Sequence, residues 1–193
     1  MILNNLQGKN IILASQSPRR KQLLAGLELD FEVISADIDE SYPGDLQSGD
    51  IALFLSKKKS AACMDRLGVN DICITADTIV WINDHVLNKP ATRQEACDML
   101  LELSGNVHTV YTGVTIASRI KSVSFLDETS VEFTTLSEEE IGYYIDHYRP
   151  FDKAGAYGVQ ELIGYIAIRE LKGSYYNVMG LPVHRVYEAL KEF

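Results

Sequence analysis

Residues 10–21 have the sequence Asn10-Ile-Ile-Leu-Ala-Ser-Gln-Ser-Pro-Arg-Arg-Lys21, in which a short apolar run leads directly into the start of a helix. The run Asn10–Ser15 predicts a buried strand. Ser17 followed by Pro18 is typical of an N-cap and the first helical position, and the leucines that follow give the helix an apolar face. A strand that passes at once into a helix indicates an α/β fold.

The rest of the chain mixes strand and helix patterns without a regular βαβ repeat. Residues rich in β-branched and aromatic side chains predict strands over 31–35, 107–117, 121–134 and 164–171. Residues 72–82 are predicted to form a strand, a turn and a second strand. Capping boxes and apolar periodicity predict helices over 50–67, 92–103, 137–147 and 181–193. We therefore predict a mixed sheet within a single domain over residues 1–193.

Composition narrows the functional classes. The 193 residues carry a formal net charge of −9 and are 46% hydrophobic, as expected of a folded globular protein. Proteins that bind duplex nucleic acid through their overall field are basic, so nucleic acid is not an expected partner. Three cysteines without CxxC spacing argue against a disulfide framework or a zinc site, and favour core positions in a reducing compartment. No signal peptide or membrane-spanning run is predicted, so we expect a cytoplasmic protein without a membrane partner.

Two arginines at the start of the first helix are the first functional signal. Arg19 and Arg20 lie where the helix dipole disfavours cations by roughly 0.3–1 kcal/mol. A bound phosphate would reverse that penalty, because backbone N–H groups, the hydroxyls of Ser15 and Ser17, and guanidinium groups all donate to phosphate oxygens. The alternative is an ordinary capped surface helix with solvated arginines. The residues alone leave both interpretations open.

Asp77 is the second signal, because it interrupts a run that is apolar on both sides. A carboxylate in such a place is costly unless it pairs with a cation, binds a metal or caps a turn. Asp77 is therefore a candidate metal ligand or general base. The alternative is a turn at the end of a strand, in which Asp77 caps the backbone.

Weaker candidates are Glu40, Lys59 and Lys89. Glu40 follows Asp39 in a turn-rich stretch, and adjacent residues on a strand face opposite ways, so at most one of the two acids should enter a shared site. Lys59 ends the run Lys57–Lys59 on a helix, and such a run is more often a solvated face. Lys89 lies in a loop, where the simpler interpretation is a solvent-exposed cation.

A glycine-rich segment, Pro150-Phe-Asp-Lys-Ala-Gly-Ala-Tyr-Gly-Val-Gln-Glu161, is the third signal. Its glycines allow backbone to approach a ligand closely. Lys153 supplies positive charge, and the amide of Gln160 offers a donor and an acceptor suited to the edge of a nucleobase. The alternative is a tight loop that packs on Tyr157. A further glycine-bounded loop, residues 173–182, carries two tyrosines that either line a pocket or pack.

The candidates together favour phosphoryl chemistry. The sequence has no P-loop, no GxGxxG and no GxSxG motif, and its four histidines lack metal-ligand spacing. Cations, carboxylates and glycine loops without a covalent nucleophile suit the attack of metal-bound water on a phosphoryl group. Carboxylate oxygens select Mg²⁺ or Mn²⁺, so we expect one of these as the divalent cofactor.

At these same segments the sequence resembles the Maf family of nucleoside triphosphate pyrophosphatases. The matching motifs keep the family's order and span almost the whole chain. They are Leu13-Ala-Ser-Gln-Ser-Pro-Arg-Arg20, Ala76-Asp-Thr78, Lys89-Pro90, Leu103-Ser-Gly105, Asp152-Lys-Ala-Gly-Ala-Tyr-Gly-Val-Gln160 and Tyr176-Asn-Val-Met-Gly-Leu-Pro182. The resemblance implies an inosine triphosphatase-like fold, with an elongated twisted sheet flanked by helices and two lobes around a central cleft.

The resemblance also implies a reaction and residue roles. The reaction is metal-dependent hydrolysis of a nucleoside triphosphate to the monophosphate and pyrophosphate, with Asp77 as proton acceptor. Arg19, Thr78 and Gln160 match positions tied to substrate choice. Residues matching those expected around the triphosphate and metal are Ser15, Arg20, Glu40, Lys59, Lys89 and Lys153, with Glu40 and Asp77 as the metal ligands. A homodimer is plausible for this family.

The motif that ends in Gln160 resembles the branch acting on dTTP, UTP and some modified pyrimidine nucleotides. Glu161 departs from the family pattern, which usually has glycine there, and a carboxylate at that position would narrow the loop or repel phosphate. One alternative is the sister branch that prefers 7-methyl-GTP. Another is a nucleotide-binding regulator of septum formation without useful turnover. A nucleic-acid module, supported only by local lysine and arginine clusters, is the third.

Overall fold

A computed structural model describes residues 3–193 of the chain. Within this range the strands are β1 Asn10–Ala14, β2 Phe31–Ile34, β3 Asp71–Ile82, β4 His85–Leu87, β5 Val107–Ala117, β6 Ser122–Phe133 and β7 Ile168–Lys172. The helices are α1 Pro18–Ala25, α2 Gly49–Cys63, α3 Arg93–Leu103, α4 Glu138–Tyr148, α5 Leu162–Ile166, α6 Tyr175–Met179 and α7 Val183–Leu190. Short 3₁₀ turns cover Asn4–Leu6, Met64–Arg66 and Ala154–Ala156.

The strands form one seven-stranded sheet in the order β2-β1-β3-β5-β6-β7, and β4 pairs with β3. The β1 strand is parallel to both β2 and β3, and Leu13 lies opposite Val33 on one side and Ile74 on the other. The β3–β4 and β6–β7 pairs are antiparallel. The sheet is therefore mixed, and the predicted α/β class is confirmed.

The chain divides into two compact units. The first unit comprises residues up to Asp77, Thr112–Asp127 and Gly180–Phe193, and the second comprises Thr78–Tyr111 and Glu128–Met179. Each unit is therefore assembled from segments that are separated in sequence. The single-domain organisation and the cleft implied by the family resemblance stay predictions.

In the first unit, α2 packs closely against β5. A Cβ atom at Gly113 would lie 2.4 Å from the carbonyl carbon of Ala52, so only glycine fits there. The Thr75 hydroxyl donates to the Ser56 carbonyl oxygen at 2.8 Å, and the Ser56 and Thr115 hydroxyls lie 3.0 Å apart. These buried hydrogen bonds satisfy the polar groups at the contact and fix the register of α2 over the sheet.

The cysteine prediction is confirmed for two of the three positions. Cys63 and Cys73 are fully buried and pack in one cluster with Ile12, Ala14 and Leu67. Cys97 is partly buried, and all three are free thiols. Burial raises the pKa of Cys73 to about 12, which keeps that thiol protonated and unreactive.

In the second unit, an aromatic cluster supports the glycine-rich segment. The rings of His108, Phe133 and Tyr157 meet edge to face with centroid distances of 5.0–5.5 Å. The His108 Nε2 atom lies 2.8 Å from the Tyr157 hydroxyl. The interpretation that this loop packs on Tyr157 is therefore confirmed, and it leaves the neighbouring residues available for other roles.

The predicted turn inside residues 72–82 is wrong. These residues belong to one continuous strand, β3, and the chain reverses only at Asn83 and Asp84, both of which have positive φ. Two consecutive residues with positive φ are typical of a tight hairpin turn. Asp77 lies inside the strand because a buried lysine balances its charge, as described below, so the carboxylate does not require a turn.

Two further boundaries differ from the prediction. The strand predicted over 164–171 begins only at Ile168, and Leu162–Ile166 form helix α5. A Cβ atom at Gly164 would lie 1.8 Å from the Val159 carbonyl oxygen, so α5 packs directly on the preceding turn. The segment predicted as a loop over 173–182 contains helix α6. A short apolar run does not distinguish a strand from a buried helix, which accounts for the difference at 162–166. At 173–182 the glycines at either end favour a loop, and the five-residue helix between them is too short to give a periodic pattern.

Both predicted capping motifs begin helices. The Ser137 hydroxyl accepts from the Glu140 amide, and the Glu140 carboxylate accepts from the Ser137 amide, which completes a capping box at the start of α4. At α3 the Thr92 hydroxyl accepts from the Glu95 amide, whereas the Glu95 carboxylate accepts from the Ala91 amide. Over residues 3–193, no helix has both the length and the apolar character needed to cross a membrane.

Burial of His108 predicts acid sensitivity of the fold. Desolvation lowers the pKa of His108 to about 3, well below its value of about 6.5 in an unfolded chain. Because the folded state binds the proton less tightly, His108 should remove stability as the pH falls from about 6.5 towards 3, by about 1.4 kcal/mol per pH unit. The free energies of unfolding of the wild type and His108→Gln are measured by urea denaturation at several pH values. The difference between the two proteins should change with pH at this slope. The exposed His184→Gln serves as control, and parallel curves for wild type and His108→Gln would contradict the prediction.

Candidate active site

In the first unit, a buried lysine joins two carboxylates. Lys59 of α2 is 8% exposed, and its Nζ lies 2.6 Å from Asp77 Oδ1 and 2.8 Å from Glu40 Oε1. Asp77 is itself buried within β3, whereas the side chain of Glu40 is half exposed. The structure therefore brings together three predicted site residues, and the charges at this position are two negative and one positive.

The residues next to Glu40 and Lys59 in the sequence do not reach Asp77, as expected for adjacent side chains that point in different directions. Asp39, next to Glu40, is exposed, and hydrogen bonds from Ser41 lower the pKa of its carboxyl group. Lys57 is exposed, and Lys58 donates to the Ser41 carbonyl oxygen at 2.9 Å. In the run Lys57–Lys59, only Lys59 reaches the buried carboxylate. The solvated-face interpretation holds for Lys57 and is wrong for Lys59.

Arg20 connects the start of α1 to the strand that carries Asp77. Its Nε donates to the Gly180 carbonyl oxygen at 2.9 Å, and its Nη1 donates to the Ala76 carbonyl oxygen at 2.7 Å. The same Nη1 lies 3.4 Å from the Ser15 hydroxyl. Burial lowers the pKa of Arg20, and the Asp77 charge partly offsets this shift. Arg20 thus joins the start of α1 to the backbone of Gly180 and to that of Ala76, the residue just before Asp77.

The N-terminus of α1 has the predicted cap. The Ser17 hydroxyl accepts from the Arg20 amide, and the buried Ser15 hydroxyl accepts from the Ser17 amide at 3.3 Å. Arg19 is half-buried in the first turn of this helix. Phosphate binding at this helix start stays a prediction.

In the second unit, the glycine-rich segment brings Lys153 and Gln160 into one loop. Lys153 is 7% exposed, and its Nζ lies 2.8 Å from Asp152 Oδ1 and 3.1 Å from Glu161 Oε1. The Gly155 amide donates to the Asn88 carbonyl oxygen at 3.2 Å, which places the Lys89 loop beside this segment. Gly155 has φ of +67°, and a Cβ atom there would lie 3.0 Å from a Val80 methyl group, so glycine suits this contact.

The side chain of Gln160 has an unsatisfied acceptor. Among the described residues, no group donates to the buried Oε1 atom of Gln160. Buried polar atoms are normally paired, and an unpaired one costs about 1–3 kcal/mol. This unpaired acceptor marks the Gln160 side chain as a candidate for contact with a ligand.

The remaining predicted site residues belong to the second unit. Thr78 is half-buried in β3, and Lys89 is exposed in the loop after β4. The predicted set thus lies partly in the first unit, with Ser15, Arg19, Arg20, Glu40, Lys59 and Asp77, and partly in the second, with Thr78, Lys89, Lys153 and Gln160.

Two residues that contact this loop are absent from the predicted site. Tyr144 of α4 is fully buried and donates a hydrogen bond to Glu161, and both contact the segment that carries Gln160. Tyr144 follows Ile141 at helical spacing and has the pattern of an ordinary core residue. In the sequence, Glu161 stands out only as a departure from the family motif. Its partners lie elsewhere in the sequence, so the pattern gave no signal for this contact.

The residues at Lys59 fit a divalent cation. In residues 3–193, no group of three or more His, Cys, Asp or Glu side chains could hold a metal ion. Glu40 and Asp77 nevertheless converge on one ammonium group, and carboxylate oxygens are the donors that Mg²⁺ and Mn²⁺ prefer. Mg²⁺ is commonly held by one or two carboxylates together with substrate phosphates and water, so two protein ligands suffice.

Comparison with known proteins assigns the chain to one family. A family model described as Maf-like protein matches residues 10–193. A protein of Parabacteroides distasonis named dTTP/UTP pyrophosphatase is 51% identical over 193 residues, covering all of both chains. A protein of Bacteroides thetaiotaomicron with the same name is 50% identical over 192 residues, covering 99% of this chain and all of that protein.

Among solved structures, the Ham1 protein of Staphylococcus aureus is 16% identical, with a TM-score of 0.47. The match covers 65% of this chain and 72% of that one.

The buried pair predicts a strong dependence of stability on Lys59. Removing the ammonium leaves the Asp77 carboxylate buried without its closest cation, a change that costs about 3–5 kcal/mol in comparable buried pairs. Lys59→Met should therefore lower the free energy of unfolding by about 3 kcal/mol, measured by urea denaturation. Lys57→Met, two residues earlier on the same helix and exposed, should change it by less than about 0.5 kcal/mol. Equal effects of the two substitutions would show that the pair does not stabilise the fold.

Proposed function

Because the chain belongs to the family of Maf-like proteins, we propose that it is a nucleoside triphosphate pyrophosphatase acting on dTTP and UTP. The names of the proteins about 50% identical to it support this activity. The single observation that carries the proposal is the contact of Lys59 with Asp77 and Glu40. A buried carboxylate beside a lysine and a second carboxylate provides the base and the cation sites that hydrolysis of a phosphoanhydride needs.

In the proposed reaction, water attacks the α-phosphorus of the bound nucleotide. The bond from this phosphorus to the oxygen that bridges the α- and β-phosphates breaks, and pyrophosphate leaves with the electron pair. Asp77 orients the water and accepts its proton, which later passes to solvent. Lys59 donates to Oδ1 of Asp77 at 2.6 Å and so holds the carboxylate in place for this step.

Glu40 and Asp77 are the residues that would hold Mg²⁺ or Mn²⁺. When bound there, the ion would neutralise charge on phosphate oxygens and lower the pKa of water. The binding of the triphosphate is assigned to Ser15, Arg19 and the start of α1, where backbone N–H groups favour anions. Arg20 supports this region through its hydrogen bonds to Ala76 and Gly180. We assign Lys89 and Lys153 to the phosphates and Thr78 to substrate choice, as the family resemblance implies.

Gln160 supports a preference for uracil and thymine. Its unpaired acceptor, Oε1, is complementary to the N3–H group that both bases carry. Cytosine has an unprotonated nitrogen at that position and would leave the acceptor unpaired. A site built to accept a hydrogen bond rejects a base that cannot supply one, because the buried polar atom then stays unsatisfied.

The cellular setting is part of the proposal. The free thiols of Cys63 and Cys73 agree with a reducing compartment, and we propose the cytoplasm. The net charge of −9 argues against a nucleic-acid partner. The homodimer expected from the family resemblance would be tested by light scattering of the purified protein.

A panel of triphosphates with Mg²⁺ tests the substrate and the bond that breaks. UTP and dTTP should release pyrophosphate and the monophosphate, with kcat/KM at least 10-fold above those for CTP and 7-methyl-GTP. Products are identified as pyrophosphate or phosphate by chromatography. Release of inorganic phosphate would refute cleavage at the α-phosphorus, and faster hydrolysis of 7-methyl-GTP would assign the chain to the sister branch. Binding of UTP or dTTP without turnover would favour a nucleotide-binding regulator.

Asp77→Asn tests the proton acceptor. The amide has the same shape but does not accept a proton, so kcat should fall about 100-fold or more while the protein stays folded, since Glu40 still pairs with Lys59. Asp84→Asn, in the exposed turn that follows the same strand, removes a carboxylate as control and should keep kcat within about 2-fold. Pyrophosphate release and circular dichroism are measured on both variants. Near-wild-type turnover of Asp77→Asn would exclude Asp77 from the mechanism.

A further inference from the structure

Gln160 lies in a tight turn formed by residues 158–161. The Glu161 amide donates to the Gly158 carbonyl oxygen at 3.0 Å, which makes Val159 and Gln160 the two central residues. The direction of the Gln160 side chain therefore depends on how the ends of the 158–161 turn are held.

A single hydroxyl group holds both ends of the 158–161 turn. The Gly158 amide donates to the Tyr144 hydroxyl oxygen at 3.0 Å, and this hydroxyl donates to Glu161 Oε2 at 2.5 Å. Tyr144 is fully buried on α4, so its ring is fixed by packing. Burial and the neighbouring carboxylate raise the pKa of Tyr144, so its hydroxyl keeps its proton at every physiological pH. One donor and one acceptor on the same oxygen thus fix two separate points of the turn.

The second oxygen of Glu161 extends this network to Lys153. Glu161 Oε1 lies 3.1 Å from Lys153 Nζ, and both side chains are largely buried. Gly158 provides the space for this contact, because a Cβ atom there would lie 2.8 Å from Glu161 Cδ and 3.1 Å from Lys153 Cε. The carboxylate therefore joins the beginning of the glycine-rich segment to the end of the turn.

The 158–161 turn is also supported by the helix that follows. The Gly164 and Tyr165 amides donate to the Glu161 carbonyl oxygen, at 2.8 and 3.4 Å. The approach of Gly164 to the Val159 carbonyl oxygen, described above, leaves no room for the turn to move towards α5. Backbone and side-chain contacts together hold the turn in one conformation.

We propose that Tyr144 and Glu161 are positioning residues that set the base preference of this site by fixing the 158–161 turn and thus the acceptor of Gln160. This inference rests on the proposed function, in which that acceptor meets the N3–H group of uracil or thymine. UTP and CTP share sugar and triphosphate, so their ratio of kcat/KM isolates the contact with the base. A change in general stability alters both rates together, whereas a displaced Gln160 alters their ratio.

Tyr144→Phe tests the hydroxyl with minimal change in volume. The substitution removes the hydrogen bonds to Gly158 and Glu161, and we expect the UTP:CTP ratio of kcat/KM to fall about 10-fold. Tyr143→Phe is the matched control, because it removes a hydroxyl from the next residue of α4, which is exposed and stacks on His147. The ratio for this control should equal that of the wild type.

Glu161→Gln is the second variant and decides the question if Tyr144→Phe does not fold. It keeps an acceptor for Tyr144 but removes the charge that pairs with Lys153, so kcat/KM should fall for both nucleotides and the ratio should fall about 3-fold or more. Glu170→Gln removes a carboxylate that pairs with Lys172 at 3.0 Å on β7 and should change neither quantity. An unchanged ratio in folded Tyr144→Phe, or in Glu161→Gln where only that variant folds, would overturn the proposal.

Amide hydrogen exchange separates this proposal from the proposed function. In the nucleotide-free protein, Tyr144→Phe should accelerate exchange of the Gly158 amide about 10-fold relative to wild type and Tyr143→Phe. Unchanged exchange would refute the fixing of the turn, whatever the substrate. A wild type that hydrolyses neither UTP nor dTTP would refute the proposed function and with it the link to base preference. If the wild type hydrolyses neither nucleotide but Tyr144→Phe still exchanges the Gly158 amide faster, only the fixing of the 158–161 turn would be supported.

Discussion

The ion pair between Lys59 and Asp77 is the interaction on which the arrangement of the first unit depends. A carboxylate inside an apolar strand is stable only with a cation close by, and the lysine must come from another element. Thr75 and Asp77 are two residues apart on β3 and therefore face the same side of the sheet, while Ser56 and Lys59 are three apart on α2 and share a helix face. The hydrogen bond from Thr75 to Ser56 and the Asp77–Lys59 pair consequently form side by side.

This pairing explains why a neighbouring glycine is required. Lys59 reaches Asp77 only if α2 lies close to the sheet, and the bare backbone of Gly113 allows the approach of Ala52. Glu40, from the turn-rich stretch before α2, pairs with the same lysine. The Lys59–Asp77 pair and the glycine contact therefore depend on each other, because both require α2 to lie close to the sheet.

Much of the fold could be predicted from the sequence, because it depends on local patterns. The strand and helix at residues 10–25, the capping box at Ser137 and the buried positions of Cys63 and Cys73 all follow from short-range signals. The turn predicted within residues 72–82 is wrong for a physical reason. The cation that stabilises this carboxylate lies 18 residues earlier, and strand periodicity carries no information about it.

The candidate site could be predicted only in part for the same reason. Residue type and surroundings predict Asp77 and Gln160 as site residues. The structure places the buried Lys59 against Asp77 and leaves the Oε1 acceptor of Gln160 unpaired, and the functional roles of both residues stay predictions. Tyr144 could not be selected, because a tyrosine at helical spacing is usually a core residue. The support of the 158–161 turn could not be predicted either, because the hydroxyl that contacts both of its ends belongs to α4, more than ten residues earlier in the sequence.

The segmented composition of the first unit has a consequence for biosynthesis. The buried Leu190 of α7 accepts a hydrogen bond from Asn5, and Lys121 donates to Glu192, so the C-terminal segment packs with residues made much earlier. During translation, Asp77 and Lys59 emerge from the ribosome long before residues 180–193 exist. Until residues 180–193 have been synthesised, the first unit lacks one of its segments and leaves apolar surface uncovered, and chaperones can bind this surface in that interval.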